Sequence, residues 1–108
     1  MTKVTVLKRG GHIVSVHADG HTGYGVEGED IVCAALSSVI QTAVLGIMRV
    51  AGINADFSTE AAGGILRLEL PELSEKDRHN ADMILETMLC GVADLYEGYS
   101  DFIDLEVK

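Results

Sequence analysis

Polar and apolar residues alternate from the start of the chain. Val4 and Val6 fall on one face and Lys3 and Thr5 on the other, a pattern that predicts a strand from Met1 to Lys8. Gly10-Gly11 is a hairpin turn signal, and the β-branched pattern resumes from Ile13 to Ala18. A second hairpin is predicted from Ala55 to Ala61 and from Ile65 to Leu70, joined by Ala62-Gly63-Gly64 and ended by Pro71. Two stretches change period. The first opens at Asp30, read as a helix N-cap, and runs to about Arg49 with Gly52 as its stop. The second opens at Ser74, with Asp77 in capping-box spacing, and carries Ala81, Ile84, Leu85, Met88, Leu89, Val92 and Leu95 at helical intervals up to Gly98. Ile103, Leu105 and Val107 alternate with acidic residues in a last strand. The predicted fold class is α+β. A single domain over residues 1–108 has two hairpin-helix units in the order ββαββαβ, with a mixed sheet packed by two long helices.

The first helix is apolar nearly all round. Leu36, Ile40 and Val44 recur on one side and Val39, Ala43, Ile47 and Val50 on another. A sheet covers one side, so a second copy of the chain is expected against the other, which predicts a homodimer.

Charge narrows the partners. Eight Lys and Arg stand against 17 Asp and Glu, a net charge of −9 that repels phosphate backbones and disfavours direct nucleic-acid binding. Tryptophan is absent and aromatic residues are 5% of the chain, too few for a base-stacking platform. Basic proteins are the partners such a surface attracts. The N-terminus lacks the pattern of a signal peptide, and no stretch is read as reaching the roughly 20 apolar residues of a membrane span. A cytoplasmic chain with Cys33 and Cys90 reduced is the expectation, with no membrane partner.

Candidate chemistry concentrates in residues 20–37. Gly20, Gly23, Gly25 and Gly28 make a glycine-rich loop that packs no core. With Asp30 as cap, Cys33 sits at the third helical position, where free N–H groups and the helix dipole favour a thiolate and could hold an oxyanion. His21 precedes Cys33 by twelve positions and is the candidate general base, since the strand-loop-helix connection can bring the two together. A cysteine at the start of an apolar helix is also an ordinary small core residue, and Cys90, between Leu89 and Gly91, is read as core outright. Asp30 is read as the cap, with orientation of His21 as the other role open to it. Ser37, one turn beyond Cys33, lines a cleft or bonds back to a carbonyl.

Two other function classes stay open at this point. His17, Asp19 and His21 alternate, so an extended strand would put two imidazoles and a carboxylate on one face, as a metal-dependent enzyme requires. A dimeric, non-enzymatic binding module for ribosomal proteins would instead use the acidic surface and leave Cys33 packed.

Gly20-His21, the glycine-rich stretch after it and Asp30-Ile31-Val32-Cys33-Ala34-Ala35-Leu36-Ser37 together resemble the signature of the ribosomal-processing cysteine protease Prp family. The resemblance covers essentially the whole chain. It implies a cysteine peptidase with His21 and Cys33 as the catalytic pair and no cofactor or metal. Gly20, Gly23, Asp30, Ala34 and Ser37 match the surrounding motif in binding or supporting positions. The substrate it implies is the precursor of large-subunit ribosomal protein number twenty-seven, cut after a phenylalanine to remove an N-terminal extension, and the assembly it implies is a homodimer. Where the family commonly has alanine beside the histidine, this chain has Thr22.

Overall fold

A computed structural model of the chain describes residues 1–20, 27–60 and 64–108, the side chains of 27–30 excepted. Its elements are β1 (Thr2–Arg9), β2 (His12–Asp19), α1 (Glu27–Leu45, continued by a π-helical turn over Gly46–Val50), β3 (Asp56–Glu60), β4 (Ile65–Glu69), α2 (Glu75–Gly98) and β5 (Ile103–Val107). The order is the ββαββαβ expected.

The strands form one sheet in the order β3-β4-β2-β1-β5. β1 pairs β2, β2 pairs β4 and β4 pairs β3, all antiparallel, while β5 joins β1 in parallel. Register writes the two faces. Val4 opposes Ala18, which opposes Leu66, and Val6 opposes Val16, which opposes Leu68. All six are buried beneath the helices. On the other face Thr5 opposes His17 and His17 opposes Arg67, a polar row turned to water.

Both helices follow from local chemistry. The Ser74 side chain accepts the Asp77 N–H at 3.2 Å, satisfying one of the free donors of α2's first turn. At the end of the α1 segment, the Ile53 N–H reaches back to the Ile47 carbonyl at 3.0 Å around Gly52, whose φ of +67° suits a residue without Cβ. The sheet's first hairpin is pinned to α2, where His12 Nδ1 lies 2.6 Å from Asp82 Oδ2 and Lys8 Nζ lies 2.9 Å from Glu86. At the β1–β5 edge a hydrogen bond from Lys3 and the charge of Lys108 hold the exposed Glu106 carboxyl below its usual range.

Three expectations need correction. α1 begins at Glu27, three residues before Asp30, so Asp30 lies inside the helix and is not its cap. Acidic residues at 27, 29 and 30 suit a first helical turn, where the dipole favours negative charge. Second, Ile31–Val50 is long and apolar enough to cross a membrane by length and composition. Its apolarity serves burial: Val32, Leu36, Ile40, Val44 and Ile47 are all in the core.

Third, the side carrying Val39 and Ala43 is covered by this chain's own α2. A Cβ at Gly91 would stand 3.1 Å from Val39, and one at Gly46 would stand 3.4 Å from Ile84, so the two helices meet closely at glycines. What stays exposed is a remainder: Ile31, Leu45, Met48 and Val50, with Met83 on α2.

Leu85→Ala, which empties a fully buried position on α2, should lower unfolding free energy by about 2–5 kcal/mol. Ser74→Ala, which removes only the cap, should lower it by about 1 kcal/mol. Urea denaturation followed by far-UV circular dichroism measures both.

Candidate active site

The stripe of α1 that faces the sheet fixes what the neighbouring stripe can reach. Val32, Leu36 and Ile40 are each followed by a polar or nucleophilic residue, Cys33, Ser37 and Gln41, one step round the helix. These three line a cavity of about 300 Å³ between α1 and the sheet. Leu36, Ile40, Ala18, Ile65 and Leu66 make much of its wall apolar, with Thr2 and Gly20 at the strand ends and Thr59, Glu60 and Gly64 on the second hairpin.

Cys33 is half-buried and free. Because α1 starts at Glu27, Cys33 is its seventh residue rather than its third. Its own N–H belongs to the helical ladder, and the open donors of residues 27–30 lie about 4.5–9 Å back along the axis, at ~1.5 Å rise per residue. Cys33 thus sits in the second helical turn, one turn further from the free N–H groups than a third-position residue would. Ser37 Oγ accepts from Gln41 Nε2 at 2.7 Å, which orients the amide beside the cavity. Gln41 is a polar lining residue that sequence reasoning passed over. Its i, i+4, i+8 spacing from Cys33 and Ser37 was the available signal.

Gly20 is held by geometry. Its φ is +111°, and a Cβ there would stand 2.5 Å from the Met1 carbonyl oxygen, with Thr2 Oγ1 donating to the Gly20 carbonyl at 3.4 Å. Only glycine fits. Ala34 points to solvent and is not part of the cavity wall. His21 and Gly23, with the rest of the glycine-rich loop through Val26, lie outside the described residues.

Two other readings meet obstacles. β2 ends at Asp19 and Gly20 turns the chain, so the alternation of His17 and Asp19 does not run on to His21 in one strand. His17 Nε2 accepts from Arg67 Nε at 3.5 Å, and a guanidinium at that nitrogen opposes a divalent cation. Among the described residues no cluster of three metal-ligating side chains forms. Cys90, expected in the core, is exposed on α2, because its neighbour Leu89 and the next turn's Val92 take the inward positions.

The family model of the cysteine protease Prp matches residues 1–104. This chain belongs to the Prp family. The ribosomal processing cysteine protease Prp of Staphylococcus aureus is 31% identical over 98 residues, covering 91% of this chain and 90% of that one. Its counterpart in Bacillus subtilis is 29% identical over 90 residues, covering 82% and 80%. The crystal structure of the S. aureus Prp with a substrate peptide superposes with a TM-score of 0.88 at 28% identity, over the full length of both chains. Another, with a covalently linked product peptide, gives 0.85 at 29% identity, again over both full lengths. The Prp fold is thus shared from end to end.

Gly20→Ala should cost about 1–3 kcal/mol from backbone conformation alone, and more through the clash with Met1. Gly10→Ala offers the comparison, since φ is +61° there but no atom lies within 4 Å of the new Cβ. Thermal melts of the two variants should separate, with Gly20→Ala the lower.

Proposed function

We propose that this chain is a cysteine endopeptidase in which Cys33 attacks the scissile carbonyl and His21 acts as base and then acid. The observation that carries the reading is the position of Cys33. It is a free, half-buried thiol on a rigid helix, opening onto a largely apolar cavity, in a chain of a cysteine protease family. Gly20, the chain neighbour of His21, lines the same cavity. The thiol proton passes to His21 as the Sγ–C bond forms, and the collapsing intermediate expels the amine, which takes that proton back. Water then cleaves the thioester. With Cys33 in the second turn of α1, His21 is the main source of thiol activation under this reading. The covalently linked product peptide in the S. aureus Prp is in keeping with this order of steps.

The substrate under this reading is the precursor of large-subunit ribosomal protein number twenty-seven, cut after a phenylalanine. The relatives' role in ribosomal processing supports it. So does the apolar wall of Leu36, Ile40 and Leu66, which suits an aromatic side chain. An acidic protein is also a fitting partner for a basic ribosomal one. The reaction calls on no metal or cofactor and takes place in the cytoplasm, where ribosomes mature. Homodimerisation is part of the same reading, supported by the exposed apolar side chains of Ile31, Leu45 and Met48 along α1.

Mass spectrometry of the precursor after incubation should show a single cut with the parent protein and none with Cys33→Ala. His21→Ala should lower turnover by about two to four powers of ten, while His17→Ala stays near the parent. Substantial cleavage by Cys33→Ala would end the cysteine mechanism. For assembly, sedimentation should give twice the 11.5 kDa chain mass at micromolar concentration, and Leu45→Lys with Met48→Lys should return it to the monomer.

A further inference from the structure

We propose that Gln41 sets the register of the bound peptide by accepting one of its main-chain N–H groups, about two to three residues from the scissile bond. This rests on the reading of the Cys33 cavity as the peptide site. Helix geometry places the side chain. Cys33, Ser37 and Gln41 recur at i, i+4 and i+8 on one stripe of α1, and all three line the cavity. Gln41 Nε2 donates to Ser37 Oγ at 2.7 Å, which draws the amide back along that stripe toward Cys33. One N–H of the amide is thereby engaged. Its carbonyl oxygen, Oε1, has no hydrogen-bond partner among the described residues.

A peptide entering this cavity carries polar main-chain groups against an apolar wall. The side chains of Leu36, Ile40 and Leu66 offer no hydrogen bond, and a main-chain N–H that leaves water without a partner weakens binding. Oε1 of Gln41 supplies the acceptor from the helix side. Because Ser37 already holds the amide, less rotamer freedom is lost on binding than a free glutamine would lose. Ser37 stands ~6 Å beyond Cys33 along the axis, at ~1.5 Å per helical residue. That span matches about two residues of extended peptide, at ~3.3 Å each. Successive N–H groups of an extended chain point to opposite sides, so a slip of one residue turns the donor away from Gln41. A main-chain bond reads no side chain. It decides which peptide bond lies over the thiol.

The test uses a fluorescein-labelled octapeptide of the ribosomal-protein precursor, centred on the phenylalanine cut. One main-chain N–H at a time is replaced by an ester oxygen. Binding is read by fluorescence anisotropy on Cys33→Ala, so that no turnover is needed. At one position, about two to three residues from the scissile bond, the ester should weaken binding about tenfold. With Gln41→Met added, which keeps the side chain's length and removes the carbonyl, that ester should cost nothing further. With Gln41→Glu, which keeps an acceptor oxygen, the loss should persist. Esters at other positions should act alike on all three proteins.

An ester loss that survives Gln41→Met, one that Gln41→Glu abolishes, or no sensitive position at that distance would overturn the proposal, as would failure of the unmodified octapeptide to bind. Gln41 is exposed, so its variants should melt with the parent. The ester scan on Cys33→Ala needs no change at residue 41 and decides even if one of them folds badly. The catalytic reading fails on a different measurement, cleavage by the Cys33→Ala protein itself.

Discussion

Burial of one stripe of α1 against the sheet is the interaction on which the rest depends. Val32, Leu36, Ile40, Val44 and Ile47 meet a floor built by Val4, Val6, Val16, Ala18, Leu66 and Leu68, all of them buried. Each such side chain contributes about 1.5–3 kcal/mol by leaving water. No rotation of the helix keeps that gain. The rotation being fixed, Cys33, Ser37 and Gln41 must face the cavity beside the core, and Ala34 must face solvent. Positioning of the thiol is thus a by-product of core packing, as precise placement on a rigid element generally requires.

The strands supply the opposite wall by similar logic. Since side chains alternate along β2, Ala18 turns toward the helices while His17 turns away to meet Arg67. Gly20 then lets the chain leave the sheet against the Met1 carbonyl, closer than any side chain would allow. Among the described residues a strand end, a helix face and a hairpin rim converge on the cavity.

Strands and helices were legible because their periods differ and their punctuation is local: Gly10-Gly11, Gly52, Ser74 and Pro71 each mark a boundary. The start of α1 was not. Glu27, Glu29 and Asp30 serve as well in a polar loop as in a first turn, and a choice between them turns on tertiary packing. The partner of α1's second side was also hidden, because periodicity shows that a face is apolar and not what covers it. Gly91 and Gly46 were the clue, small residues where two helices approach closely. Cys90 escaped for a related reason. Its neighbours fill the inward stripe, and an apolar residue one step outside it is exposed. Of the site, the cysteine stood out by its motif and Gln41 was readable from its helical spacing, while Thr59 and Glu60 became visible only when three elements met in space.

The parallel pairing of β5 with β1 carries a practical consequence. Thr2 lies opposite Ile103 and Val6 opposite Val107, so the two chain ends leave the sheet at opposite ends of the same pair. Thr2 lines the Cys33 cavity and Met1 sits against Gly20. An affinity tag placed ahead of Met1 would therefore emerge at the Cys33 cavity. One placed after Lys108 would emerge about 20 Å away, at ~3.3 Å per strand residue, beside the first hairpin. Purification handles for kinetic work belong at the C-terminal end.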